Sequence, residues 1–208
     1  MKLQSSKNLC RLLIIHQCIQ FLTCGFCLSR KHSVKSEISA VSCIPINPQK
    51  AFSSNFIVSY WGSNIIELFT IEKGTLKSSS ETRTPPLPAV VRSILLYNFG
   101  SDTGSKGSDY HPYLLAGLGD GSVVSFTWKD GCLKDQKVVS LGHAPVSLTP
   151  CVVDGKKSVF AAGNRATIFF CDKNRLFNSA IMLKVKHLQY PGSRAKFIFQ
   201  RKLPLAAN

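Results

Sequence analysis

One β-type unit recurs three times along this chain, and that recurrence limits the fold more than any single motif does. Ile57-Val58-Ser59-Tyr60-Trp61-Gly62 runs to Phe69 and on to Lys73-Gly74-Thr75-Leu76. Leu114-Leu115-Ala116-Gly117 runs to Phe126 and Lys129-Asp130-Gly131-Cys132-Leu133, and Val159-Phe160-Ala161-Ala162-Gly163 runs to Phe169 and Lys173-Asn174-Arg175-Leu176. Each copy reads as a strand, a tight turn, a second strand and a turn closed by leucine. Leu76 and Leu133 are 57 residues apart and Leu133 and Leu176 are 43 apart; without the 13 polar residues from Asn98 to Tyr110 the first interval would be 44. A β unit with a period of about 40–45 residues is the signature of propeller blades. The expectation is an all-β chain, an incomplete WD40-like β-propeller of about three to four antiparallel blades, since closed rings usually need about four to eight. Propellers mostly present partners to one another, so the pattern favours a scaffold over an enzyme.

The rest of the chain from residue 38 agrees with this class. Short runs rich in Val, Ile and Phe, at 38–46, 52–61, 65–71, 89–97, 113–118, 122–128, 137–141, 146–151, 158–162 and 166–171, are separated by Gly, Asp, Asn, Pro and Ser. Two stretches read as loops. Ser78-Ser79-Ser80 through Pro85-Pro86-Leu87-Pro88 is a crossover whose prolines forbid a continuous ladder. Phe99 to Ser108 is a polar insert, expected to be mobile and surface-exposed. Gly117-Leu118-Gly119-Asp120-Gly121 resembles a phosphate-binding glycine loop, but that chemistry needs a helix after the glycines. Here Ser122-Val123-Val124-Ser125-Phe126 is a strand, so Asp120-Gly121 is a hairpin turn.

The net charge of +15 suggests nucleic acid or membrane until its distribution is considered. Residues 1–37 carry six Lys/Arg against one acid, residues 173–208 carry eight against none, and the body from 38 to 172 has a net charge of only +2. The basicity therefore belongs to the two ends, which read as solvated arms, and any nucleic-acid contact is indirect. No stretch approaches the roughly 18–20 apolar residues of a membrane span. The leader, with Lys2 and Lys7 before Leu12-Leu13-Ile14-Ile15, resembles a secretory signal over residues 1–28, but Arg11, His16, Gln17 and Gln20 interrupt the apolar run.

Candidate chemistry is sparse. The cysteines at 10, 18, 24 and 27 crowd the leader, where Cys24-Gly25-Phe26-Cys27 lacks a second pair or a histidine at finger spacing, so no metal or cofactor is expected. Cys43, Cys132, Cys151 and Cys171 read as small buried hydrophobes. The five histidines, at 16, 32, 111, 143 and 187, share no spacing and have no acid or nucleophile in a catalytic context, so no catalytic residue is assigned. Trp128, at a strand end, reads as packing at a blade edge. Trp61 lies beside a turn that a propeller would place at one rim, which makes it the candidate protein-binding anchor, with core packing as the alternative.

These residues resemble a known family. Leu115 to Gly121, Leu133 to Gly142, Val159 to Ala162 with Arg165, and Leu183-Lys184 look like consecutive blade segments of the large damaged-DNA-binding subunit. Its multi-propeller superfamily includes the cleavage-and-polyadenylation A subunit and a splicing-factor subunit. Val91 to Leu96 and Tyr60 to Ile65 fit the preceding blade. The resemblance is to part of the second propeller, which in the ubiquitin-ligase adaptor docks the cullin scaffold, and Trp61 matches a family tryptophan. It implies a non-enzymatic scaffold in a nuclear multi-subunit complex serving ubiquitin ligation, DNA repair or pre-mRNA processing. The insert at 98–110, the loop Gly142-His143-Ala144-Pro145 and Ala166 in place of a common proline depart from the family pattern.

The organisation expected is therefore a non-matching leader at 1–37, a partial propeller at 38–188 and a basic tail at 189–208, as in a fragment or truncated product of something longer. The competing readings are a secreted basic β-rich binding protein, distinguished by a cleaved leader and oxidised cysteines, and direct nucleic-acid binding through the basic termini.

Overall fold

The computed structural model describes residues 11–15, 18–22, 28–33, 36–43, 53, 55–72, 75–78, 82–100, 110–129, 131–184 and 198–201. Apart from a 3-10 position at Thr82, the regular elements among these residues are all β-strands. β1 (Arg11–Ile15), β2 (Cys18–Leu22) and β3 (Leu28–Ser33) form a first sheet. β4 (Ile38–Ser42), β5 (Asn55–Tyr60), β6 (Ile66–Glu72) and β7 (Thr75–Lys77) form a second, and β8 (Val91–Asn98), β9 (Pro112–Leu118), β10 (Ser122–Lys129) and β11 (Cys132–Ser140) a third. The fourth contains β12 (Ser147–Val153), β13 (Lys156–Ala162), β14 (Thr167–Asp172) and β15 (Arg175–Lys184), with β16 (Ile198–Arg201) added at its outer edge. Every pairing is antiparallel between neighbours in sequence, so each sheet is an up-and-down meander.

The second, third and fourth sheets stack through their leading strands. β8 lies against β4 and β5, and β12 lies against β8 and β9. Two apolar layers fill the gaps. Ile57, Ile66 and Leu68 of the second sheet meet Ile94, Leu96, Leu114, Ala116, Leu118 and Val124 of the third. Leu95, Leu115 and Val123 on the opposite face of the third sheet meet Val159, Ala161 and Phe169 of the fourth. β9 is thus covered on both faces, which explains why Leu114-Leu115-Ala116 is continuously apolar and does not alternate. Each fully buried Leu or Val here contributes about 1.5–3 kcal/mol relative to exposure. The second sheet's other face is buried too, with Phe56 stacked on Phe69 at 5.2 Å between centroids.

The turns have the chemistry expected of hairpins. Asp154 and Gly155 both have positive φ (52° and 73°), as do Lys173 and Asn174 (44° and 62°), the backbone that twisted two-residue hairpins require. Between β9 and β10, Gly121 has φ +88°, and the Asp120 carboxylate accepts bonds from the Ser122 amide at 2.9 Å and hydroxyl at 2.7 Å. This motif is a hairpin, as its sequence indicates.

Three expectations need correction. β11 starts at Cys132, five residues before the expected strand, and β15 was not anticipated as a strand at all. β11 is an edge strand and β15 is flanked beyond β14 only by the short β16, and the polar, exposed positions of both lack an alternating apolar signal. The single cysteines are not buried: Cys43 is exposed beyond the end of β4, and Cys132, Cys151 and Cys171 are half-buried. The base of the insert is closed by the Asn98 side chain, which accepts the Gly100 amide at 3.0 Å and the His111 amide at 2.9 Å. The expected mobility of the insert concerns residues 101–109, and the signal-like character of the leader and the basicity of the tail rest mostly on side chains; all lie outside the described residues.

Candidate functional site

One end of the stack is stitched by a repeated hydrogen bond. In each of the last three sheets, the turn between the second and third strands donates an amide to the segment leading into that sheet's first strand. Trp61 N bonds Glu37 O at 3.0 Å, Gly119 N bonds Val90 O at 2.9 Å, and Arg165 N bonds Leu141 O at 2.9 Å. Neighbouring sheets are joined at the same end by Leu87 N to Asn64 O and Val146 N to Leu118 O, and Leu141 N to Gly121 O extends the β10–β11 ladder to this rim. In the fourth sheet Asn164 adds its side chain, whose Oδ1 accepts the amides of His143 at 2.8 Å and Ala144 at 2.5 Å. The turns therefore form one continuous rim.

Trp61, Gly119 and Arg165 occupy the same place in three successive sheets, and only in the second does that place carry a large aromatic. Asn64, at φ 50°, completes the turn after it. The indole is 44% exposed, so the side chain is at the rim and outside both apolar layers. The Arg92 guanidinium, from the start of β8 in the next sheet, lies 5.0 Å from the ring centroid. This is a cation–π contact across two sheets, and Arg92 makes no ion pair among the described residues. Trp61 and Arg92 form an amphipathic platform, with an aromatic face for apolar contact and N–H donors for acceptors.

Beside this platform, the proline-rich crossover is tied down by a buried carboxylate. Glu67 in β6 is 7% exposed. It accepts the Tyr60 hydroxyl at 3.0 Å, Arg83 Nη2 at 2.7 Å and Nε at 3.1 Å, and the Ser78 hydroxyl. Burial alone would push its carboxyl up, but the bonds from Ser78, Arg83 and Tyr60 outweigh that and hold it below the ordinary value. Tyr60 is pushed up by burial, by the adjacent Glu67 charge and by its bond to that carboxylate. Arg83 also forms a single bridge to Glu67 in the backbone, and Thr84 N bonds Ile66 O at 3.0 Å while Ile66 N bonds Thr84 Oγ1 at 2.9 Å. The crossover thus takes the outer-strand position along part of β6 despite its prolines.

Trp128 is half-buried against the first apolar layer, a packing position. His143 is exposed and is held through its backbone, and His111 through its own amide, so neither imidazole is placed for chemistry by these bonds. Among the described residues no cluster of three or more metal-ligating side chains occurs, and no helix is long and apolar enough to cross a membrane. Sequence reading singled out Trp61 but missed Arg92 and the Glu67 network as parts of the same rim. The signal for Arg92, a lone arginine opening the apolar strand after a proline-rich crossover, has meaning only once the sheets are stacked.

Sheets of four antiparallel strands, stacked by their leading strands and stitched at one rim, are the blades of a β-propeller. The fold is shared with the solved structure described as "Crystal structure of BBS1N in complex with ARL6DN, soaked with lead", at a TM-score of 0.54 and 11% identity over 92% of this chain and 58% of that one. The chain belongs to the RSE1/DDB1/CPSF1 second beta-propeller family, whose model matches residues 27–189. Its relatives include DNA damage-binding protein 1a of Arabidopsis thaliana, 31% identical over 162 residues, which are 76% of this chain and 14% of that protein. DNA damage-binding protein 1 of Oryza sativa subsp. japonica is 31% identical over the same shares, and that of Drosophila melanogaster is 29% identical over 79% of this chain and 14% of its own length. The chain thus spans about one seventh of these relatives.

Proposed function

We propose that this chain is a non-enzymatic scaffold module of a nuclear multi-subunit complex, serving ubiquitin ligation, DNA repair or pre-mRNA processing, and that it captures a protein partner through the rim at Trp61. Family membership and relatives named for damaged-DNA binding support the scaffold role and the setting. The observation that carries the docking site is Trp61 itself, 44% exposed with Arg92 over its ring, because Trp and Arg are the residue types most enriched in binding hot spots. In this reading residues 38–188 supply the docking blades, the Lys and Arg residues of 1–37 and 189–208 supply the excess positive charge, and contact with nucleic acid is secondary. The partner class that the family resemblance favours is a cullin scaffold.

The test is Trp61→Ala in a quantitative pull-down against a purified cullin scaffold, with a thermal melt in parallel. The expected loss is about 2 kcal/mol or more, roughly thirtyfold in affinity, at nearly unchanged melting temperature. Unchanged affinity, or a collapse in melting temperature with unchanged binding per folded molecule, would remove Trp61 from the docking surface.

A further inference from the structure

We propose that Ser78 is a phosphorylation site, and that a phosphate there unlatches the crossover between the second and third sheets. Four donors converge on the Glu67 carboxylate, and Ser78 supplies the one that is both exposed and chemically modifiable. Its hydroxyl shares Oε1 with both nitrogens of Arg83, so serine, carboxylate and guanidinium lie within one hydrogen-bond shell. Glu81 follows three residues after Ser78, the spacing that an acid-directed serine kinase reads.

The chemistry is transfer from ATP. A bond forms between Ser78 Oγ and the γ-phosphorus, the bond from that phosphorus to the bridging oxygen breaks, ADP leaves, and the hydroxyl proton goes to the kinase's base. The product reverses the sign of the contact. A donor becomes an acceptor carrying about −1.5 to −2 charges, placed against a carboxylate that is 7% exposed. Arg83, whose side chain is 53% exposed, is free to turn and bind the phosphate by two parallel bonds, its preferred geometry with such an anion. Glu67 then loses its ion pair and the Ser78 bond while facing a new negative charge. Among the described bonds, the crossover keeps the Thr82 hydroxyl on Leu68 O, the Thr84 bonds to Ile66, and Leu87 N on Asn64 O. The effect of the modification is local opening of residues 82–87.

The experiment uses the full chain produced with phosphoserine at position 78, with hydrogen exchange followed at the amides of Thr84 and Leu87. Exchange at both is expected to accelerate by about tenfold or more over the unmodified chain. The same phosphoserine in a Glu67→Gln background should give much less acceleration, because the opposing charge is gone. Unchanged exchange at those amides, or equal acceleration in both backgrounds, overturns the proposal. If the phosphorylated parent fails to fold, folding of the phosphorylated Glu67→Gln chain upholds it, and failure of both overturns it. A second arm treats the unmodified chain with ATP and an acid-directed serine kinase. Phosphate localised to Ser78 and lost in Ser78→Ala supports the site, whereas phosphate on other residues only overturns it.

Discussion

Replacing Gly117 with alanine tests the stacking of the third and fourth sheets. A Cβ at this position would lie 2.5 Å from Val146 O and 2.7 Å from Ser93 Oγ, where real Cβ atoms essentially never come within 3.0 Å. One of those neighbours is backbone, so the fourth sheet must retreat by at least about 0.5 Å. That retreat acts on the pair of bonds that joins the sheets through Ser93, whose hydroxyl donates to Val146 O at 2.9 Å and accepts Leu148 N at 3.1 Å. Overpacking costs about 1–3 kcal/mol, and the two weakened bonds about 0.5–1.5 kcal/mol each, so the expected loss is about 2–6 kcal/mol. In a chain of this size each kcal/mol lowers the melting temperature by about 2–4 °C. Ser93→Ala alone should cost about 1–3 kcal/mol by leaving the Leu148 amide unpaired. The double variant should lose less than the sum, because removing the hydroxyl relieves one of the two clashes, with a coupling of about 0.5 kcal/mol or more. Urea unfolding of the four proteins measures all of these quantities. A Gly117→Ala protein within about 0.5 kcal/mol of the parent, or strict additivity, would refute the close-approach argument.

Three further outcomes follow from the same geometry. The Glu67 carboxyl is held below its ordinary value of 4.5 in the fold, so as pH falls beneath that value the unfolded chain takes up the proton first and the stabilisation is lost. Melting temperatures taken from about pH 6 down to pH 3 should fall more steeply for the parent than for Glu67→Gln, and parallel curves would contradict the network. Asn164→Ala removes the acceptor for two amides in an exposed turn and should cost about 1 kcal/mol, read by chemical unfolding; a cost below about 0.3 kcal/mol would contradict the role of its side chain at the rim. Deleting residues 1–37 and 189–208 should abolish whatever nucleic-acid affinity the chain shows, together with a salt slope of about −0.9 per phosphate neutralised; tight, salt-sensitive binding by the trimmed body would count against it.

The fold was legible where burial imposes a pattern. The inner and central strands β5, β9, β10, β13 and β14 carry Val, Ile, Leu and Phe because their sheets pack against apolar neighbours, on both faces in the third sheet, and hairpins at Asp120-Gly121 and Lys173-Asn174 announce themselves through residues that tolerate positive φ. The strands β11 and β15, towards the outside of their sheets, were harder to read; in β11 the edge run Lys134-Asp135-Gln136 satisfies its backbone on one side only and has little to bury. Pro85, Pro86 and Pro88 were read correctly as barring a continuous ladder, but the single bridge and threonine bonds that replace it depend on Glu67, which sits in a different strand. Of the candidate site, Trp61 was legible as a rim position from the turn beside it. Its partner Arg92 was not, because the contact is created by stacking two sheets and leaves no local trace in either.

The rim bonds connect these separate observations. Trp61 belongs to the second sheet and Arg92 to the third, so their relative position is set by how those sheets stack. Ile57, Ile66 and Leu68 packing on Ile94 and Leu96 fix the separation, and Leu87 N on Asn64 O fixes the crossover beside the turn. A partner that uses both side chains therefore binds a surface whose geometry is controlled from the interior. Loosening the crossover at Ser78 and Glu67 should act on the platform without altering either of its residues, whereas Gly117→Ala, which forces apart the third and fourth sheets, should lower stability with a smaller effect on the platform at the junction of the second and third. Measuring partner affinity per folded molecule for Glu67→Gln beside Gly117→Ala separates the two. A larger affinity loss in the glycine variant would mean that the platform is organised from the opposite face of the third sheet.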